Sequence, residues 1–208
     1  MTITDKVSIQ FFDIKQHARV GPIHFLLADA GVSFDTHRIS QHDWLHHRQE
    51  LIRSNKSPYG GLPVVEVDGR SYTQLLPTLR YLARRVGKYH AHGAEDEYLI
   101  DAAADVALDW INDYSKAHIA PSANEGIQHR YRDEQRPRYA HAINHYLSRH
   151  NGPFLLGNEV SYADFVIFSI IVDNKDFAHK DYPHIEAFVH NFEKREGVRH
   201  HLEQHLKH

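Results

Sequence analysis

The dipeptide Asp68-Gly69, set between the β-branched run Val64-Val65-Glu66-Val67 and the short stretch Ser71-Tyr72-Thr73, restricts this chain more than any other feature. An Asp-Gly pair flanked by strand-forming residues is the strongest short hairpin signal, so the segment reads as strand, two-residue turn, strand. Upstream, Pro58-Tyr59-Gly60-Gly61 is turn chemistry; downstream, Leu75, Leu79 and Leu82 fall on one face of a helix. Pro63 stands at the start of the first strand, where its missing N–H removes a ladder bond unless the position is an edge or a bend. A trans bond is the ordinary expectation there. A cis bond would turn the backbone of Leu62 outward and free its N–H and C=O to pair with a ligand's main chain.

Ahead of the hairpin, Val7-Ser8-Ile9-Gln10-Phe11-Phe12 alternates at its start and reads as a strand, followed by a polar loop at residues 13–18. Pro22 suits the first turn of a helix whose apolar stripe is Ile23, Phe25, Leu26, Leu27 and Ala30, closed by Gly31. Residues 32–39 read as a second strand, and the polar tract 40–56, which carries Trp44, as a short irregular helix. The order β-α-β-α-β-β-α builds a four-stranded mixed sheet with helices on both faces, an α/β thioredoxin-like domain over residues 1–86. Residues 87–97, polar and glycine-bounded, are expected to be a linker, and residues 98–208 an all-α helical domain. Apolar positions recur at Ile100, Ala104, Ala107, Leu108 and Ile111, and again at Ala142, Ile143, Tyr146 and Leu147. The charged tract 120–137 breaks that pattern and reads as a loop or weak helix. Ser161-Tyr162-Ala163-Asp164 opens the apolar run 165–172 as an acidic capping box.

Composition narrows the chemistry. Cysteine is absent, which removes disulfides, thiolate metal sites and a protein-borne sulfur nucleophile together, so any thiol chemistry must come from a ligand. The net charge of −3 offers no electrostatic reason to expect nucleic acid or anionic lipid. With no run of 18 apolar residues and no basic-then-apolar leader at residues 1–10, neither a membrane span nor secretion is expected, and the location is read as cytoplasmic. Twenty histidines invite a metal reading at His46-His47, His141/His145 and His201/His205. No further ligand stands beside them at a spacing that closes a site, so they are read as solvated surface groups and no metal is expected.

L-P-V-V-E-V-D-G from Leu62, then Gln74, then R-Y-L-A-R from Arg80 resemble, in order and at the same spacing, the glutathione-binding half of the cytosolic glutathione transferase family. F-L-L-G-N-E-V-S-Y-A-D from Phe154 resembles the folding motif at the buried helix of that family's C-terminal domain, so the likeness covers nearly the whole chain. The tract D-T-H-R-I-S-Q-H-D-W from Asp35 is closest in look to the sigma class, that of the hematopoietic prostaglandin D synthase. The resemblance implies a cis bond at Pro63, with the Leu62 backbone pairing with the cysteinyl main chain of glutathione. It implies further that Gln74 takes the γ-glutamyl end, and that Trp44 with a cation, Arg48, Arg53 or Lys56, meets the glycyl carboxylate. An aspartate from the partner subunit of a homodimer would reach the γ-glutamyl amine, for which Asp109 is the candidate and Asp105 its neighbour one turn earlier.

Two departures from the family's pattern matter. Its Gln is followed by Ser, whereas Leu75 leaves only a backbone N–H at the helix start. Its sulfur-activating tyrosine falls at Phe11 or Phe12, and phenylalanine cannot donate. A glutathione thiol with a free pKa of about 8.5–9 is only a few per cent ionised at neutral pH, so some other group must stabilise the thiolate. The loop at residues 13–19 is about two residues longer than in the tyrosine classes. Lys15, Gln16, His17 and Arg19 lie there, near the positive end of the helix that starts at Pro22; His17 or Arg19 is the expected stabiliser. The implied function is glutathione addition to a small apolar electrophile, by conjugation or by reversible addition in an isomerase, with Phe11, Trp110, Tyr114 and residues around Phe168 as walls. The alternative is a non-catalytic glutathione-binding or protein-binding member of the same fold.

Overall fold

Alternation in β1 (Val7–Phe12) sends Val7, Ile9 and Phe11 into the core and leaves Ser8, Gln10 and Phe12 half-buried on the opposite face. The computed structural model describes residue 3 and residues 6–205, so the expectations for residues 1–10 and for the side chain of His205 fall partly or wholly outside the described residues. β1 pairs in parallel with β2 (Phe34–Ile39) and antiparallel with β3 (Val64–Val67), which pairs antiparallel with β4 (Arg70–Thr73), giving the order β2-β1-β3-β4. Asp68 and Gly69 both adopt positive φ, 48° and 73°, the combination a type I′ turn requires.

α1 (Gly21–Asp29) and α3 (Leu75–Val86) bury their apolar stripes in the core shared with the inward face of β1. α2 (Trp44–Arg53) covers the other face, with Trp44 edge-on to Phe12 at 4.8 Å and His47 Nε2 2.8 Å from Gln10 Oε1. The tract expected to hold an irregular helix is therefore a regular ten-residue helix. α3 stops at Gly87, whose φ of 70° closes the last turn. α4 (Ala94–His118) begins inside the stretch expected as linker, so the connection is shorter than its composition suggested.

Residues 120–137, expected as a loop or weak helix, are mostly helical: α5 (Glu125–Arg130), a π turn at Tyr131–Gln135, then α6 (Arg136–Leu147). Local charge concealed two determinants. Asn124 caps α5 by accepting from the Ile127 amide at 3.1 Å, and the single apolar anchor Tyr131 is buried, its hydroxyl accepting from Trp110 Nε1 (2.7 Å) and donating to Asn174 Oδ1 (2.5 Å). α7 (Tyr162–Asp173) is buried on nearly every side. Its capping box is closed by the Asp164 carboxylate, which accepts from the Ser161 amide (2.7 Å), the Ser161 hydroxyl (2.7 Å) and the Leu155 amide (3.1 Å). α8 (Pro183–Phe192) and α9 (Glu196–His205) complete a helical domain.

α1 packs on α7 and α9, and Arg195 forks onto the buried Asp29 carboxylate (2.9 and 2.5 Å), which also accepts from Tyr89 Oη at 2.7 Å. The N-terminal thioredoxin-like layer is thereby riveted to the helical domain. Among the described residues no three His, Cys, Asp or Glu side chains converge as a metal site, and no helix is long and apolar enough to cross a membrane.

Candidate functional site

The Leu62-Pro63 peptide bond is cis, and Leu62 stands just ahead of the first laddered residue, Val64. Beside it, Gln74 takes φ 68° and ψ 127°, a backbone region that costs a non-glycine residue about 1–3 kcal/mol and survives only where its neighbours dictate it. They do so here. Thr73 is locked against Val64 at the end of β4, while Leu75 and Leu76 are buried at the start of α3. The Leu75 side chain is thus core, and only its backbone amide remains for a ligand at the start of α3. α3 carries no side-chain cap and no acidic residue in its first turn, so its positive end is left uncompensated by the chain itself.

On the sheet's other face, α2 sets Trp44 half-buried against Phe12 and places the exposed Arg48 one turn further on. Two of the three cations considered are engaged with carboxylates. Arg53 lies 3.4 Å from Glu50, and Lys56 Nζ bridges both oxygens of Glu66 at 2.9 and 3.0 Å. Arg48 has no carboxylate partner among the described residues. Its stem packs where a Cβ on Gly60 would sit, and Gly60 adopts φ +68° with that position also closed by Ile52.

The loop after β1 separates the residues expected to act on a sulfur. His17 is 7% exposed; its ring stacks on Phe25 at 5.1 Å, and its Nδ1 lies 3.1 Å from the Asp173 carboxylate. Its partner lies 156 positions away, so the imidazole, expected beside a ligand, is built into the contact between the loop and α7. A Cβ on Gly21 would come within 2.4 Å of the His17 Cβ and 2.3 Å of Ser169 Oγ, so only glycine lets α1 start there. Arg19 faces outward, and its Nε and Nη2 both donate to Asn112 Oδ1 on α4, at 3.2 and 2.5 Å. Lys15 is exposed and Gln16 half-buried, and Arg38 of β2 steadies the loop by donating to the Ile14 carbonyl at 3.0 Å.

Phe11, Trp110 and Tyr114, expected as walls of the substrate site, are all buried. Phe11 is 3% exposed and Trp110 is wholly enclosed, with Tyr139 stacked on it and Phe177 edge-on. Tyr114 donates to the Asp173 carbonyl at 3.0 Å, and burial, reinforced by Asp173 and Asp176, pushes its phenol well above the ordinary tyrosine range. Phe168 is core as well. Helical spacing identified the inward stripe of α4; that the stripe packs against α6 and α7 depends on tertiary packing. Asp105 and Asp109 are exposed on α4. Asn112 and Asp173, which orient the loop, carry no motif in the sequence and were not singled out.

A mixed four-stranded sheet with helices on both faces, followed by an all-helical domain, defines a thioredoxin-like fold joined to a helical one. The sequence profile described as "Glutathione S-transferase, C-terminal domain" matches residues 108–205. Glutathione S-transferase alpha-3 of Rattus norvegicus is 30% identical over 171 residues, covering 80% of this chain and 73% of that protein. A glutathione S-transferase of Anopheles gambiae is 28% identical over 203 residues, covering 92% of each. Among solved structures, prostaglandin synthase D of Nilaparvata lugens superposes with a TM-score of 0.78 at 23% identity, covering 96% of this chain and 98% of that one. The pi-class glutathione S-transferase of Onchocerca volvulus gives 0.80 at 19%, covering 96% and 93%. The chain belongs to the glutathione S-transferase family.

Proposed function

We propose that this protein binds glutathione in the groove formed by Leu62, Pro63, Gln74 and the start of α3, and adds its thiolate to a small electrophile, with Arg19 in the role that a tyrosine plays elsewhere in the family. The observation that carries this reading is Gln74: a strained non-glycine backbone beside an uncompensated helix start is what a clamp for an anionic ligand requires. Leu62 would pair with the cysteinyl main chain, Gln74 and the Leu75 amide would hold the γ-glutamyl end, and Trp44 with Arg48 the glycyl carboxylate. Arg48 is preferred to Arg53 and Lys56 because its charge is not already spent on a neighbouring carboxylate. Asp109 would act across the two-fold axis of a homodimer, in keeping with its exposure on α4. The sigma-like tract from Asp35 and a cytoplasmic location belong to the same reading.

Chemically, the thiol loses its proton to solvent and the sulfur attacks an electrophilic carbon. In conjugation a C–S bond forms as a leaving group departs with its electron pair; in isomerisation the addition is reversed after the bond shift. A guanidinium next to the sulfur lowers the thiol pKa by favouring its charged form, without itself gaining or losing a proton. Arg19 is suited to this because it is exposed at the domain boundary and tethered only to a neutral amide. His17 is not, being enclosed with Asp173.

A second reading, capture without turnover, is favoured by Phe11, which cannot donate and is itself buried. Retention on immobilised glutathione followed by a chloronitrobenzene conjugation assay separates the two. Replacing Arg19 by Ala should raise the pKa of the bound thiol by about one unit, roughly a tenfold loss of thiolate at neutral pH. A titration by thiolate absorbance that is unchanged in Arg19→Ala refutes the assignment.

A further inference from the structure

The carboxylate of Asp173, at the last turn of α7, lies outside the tripeptide groove, yet it is aimed across the domain boundary into the loop that carries Arg19. Its Oδ1 accepts from the His17 amide at 2.9 Å and lies 3.1 Å from His17 Nδ1, and its Oδ2 accepts from the Ala18 amide at 2.8 Å. Both side chains are almost wholly enclosed. An anion at the C-terminal end of a helix opposes the helix dipole, and enclosing it adds a desolvation cost. Nothing in α7 alone rewards an aspartate there; the donors that compensate it belong to the loop.

The loop shows the consequence. Ala18 is held at φ 44°, a conformation that a residue with a side chain seldom adopts. The Val20 and Gly21 amides both return to the His17 carbonyl, at 3.1 and 2.8 Å, so Arg19 is the residue left projecting between them. The clamp is in turn fixed from behind: Tyr114 donates to the Asp173 carbonyl, and Tyr131 donates to the adjoining Asn174.

We propose that Asp173 is a positioning residue for thiol activation, which locks the backbone of residues 17–18 so that Arg19 is presented to the bound sulfur in one direction. The proposal rests on the reading of Arg19 given above. Asp173 touches no substrate; it acts through Arg19.

The test compares Asp173→Asn, His17→Leu, Arg19→Ala and the Asp173→Asn/Arg19→Ala double variant in the full chain. Three quantities are read: the pKa of the bound glutathione thiol by thiolate absorbance, the dissociation constant for glutathione, and the melting temperature. Asp173→Asn sets an amide N–H against one of the loop donors. It should raise the thiol pKa by about one unit, close to tenfold in the thiolate ratio, with less than about a threefold change in glutathione affinity. In the Arg19→Ala background it should add nothing, because both act through one group. His17→Leu keeps both backbone donors and should leave the thiol pKa near wild type. A lower melting temperature with an unaltered thiol pKa, or a shift that adds to that of Arg19→Ala, overturns the proposal. An Arg19→Ala variant with a normal thiol pKa instead overturns the underlying reading of the site. If Asp173→Asn does not fold, amide exchange in the wild type decides: the His17 and Ala18 amides should exchange as slowly as those of α7, and exchange at open-loop rates would exclude the clamp.

Discussion

Asp164 is expected to make the protein more stable in mild acid than its Asp164→Asn variant predicts. The carboxylate is fully enclosed at the start of α7. Burial drives its pKa up from 3.8 to about 6, although the Ser161 hydroxyl, the Ser161 amide and the Leu155 amide each pull it down. Because the folded-state value exceeds the unfolded one, the native state binds the proton more readily. The group's contribution to stability is complete below the unfolded pKa and is lost as pH rises through about 6. The whole shift corresponds to about 3 kcal/mol at about 1.4 kcal/mol per unit. Between about pH 7.5 and about pH 5 the portion realised is on the order of 1 kcal/mol. Asparagine has the same shape and does not titrate. Urea unfolding of both proteins at the two pH values, at one fixed protein concentration, should therefore show the wild type gaining on the order of 1 kcal/mol relative to Asp164→Asn on acidification. A gap that stays constant, or narrows as pH falls, would mean that the three donors outweigh burial, and the reasoning would be refuted.

Other expectations follow from equally specific contacts. Gln74→Gly removes a side chain from a φ of 68° and should raise stability by up to about 1 kcal/mol while weakening glutathione binding about tenfold; calorimetric binding equal to wild type would show that the Gln74 side chain holds nothing. Tyr131→Phe strands Trp110 Nε1 and Asn174 Oδ1 in the interior and should cost about 2–4 kcal/mol by denaturant unfolding, against less than about 1 kcal/mol if those groups find other partners. Gly197→Ala would set a Cβ 2.3 Å from the Ala28 carbonyl oxygen and 2.6 Å from the Asp29 Cα, so α9 must move off α1. Its melting temperature should fall by several degrees, roughly 2–4 °C for each kcal/mol lost, and an unchanged value would show that the two helices are not in tight apposition.

Much of the fold was legible because its determinants are local. Asp68-Gly69 names its turn through the φ values those two residues tolerate, β1 names its inward face by alternation, and Ser161 with Asp164 marks a helix start within a single turn. The turn into β3 and the start of α3 were legible for a related reason: Pro63 and the Leu75, Leu79 and Leu82 stripe mark them within a few residues. The regularity of α2, and α5 with the π turn behind it, were not, since polar and charged surface residues conceal a single buried anchor, Leu51 in one case and Tyr131 in the other.

The sequence by itself determined the order of the elements, the hairpin, the α7 cap and the absence of any protein-borne thiol, all of which follow from backbone preference, period or composition. Only the tertiary structure decided what surrounds each candidate residue. His17 is enclosed with Asp173, Arg53 and Lys56 lie beside Glu50 and Glu66, and Trp110 and Tyr114 are enclosed by helices arriving from elsewhere in the chain. The physical reason is that a side chain's charge and hydrogen-bonding capacity are spent on whatever lies within about 3 Å. Which residues lie that close is set by how α4 and α7 pack against the sheet domain.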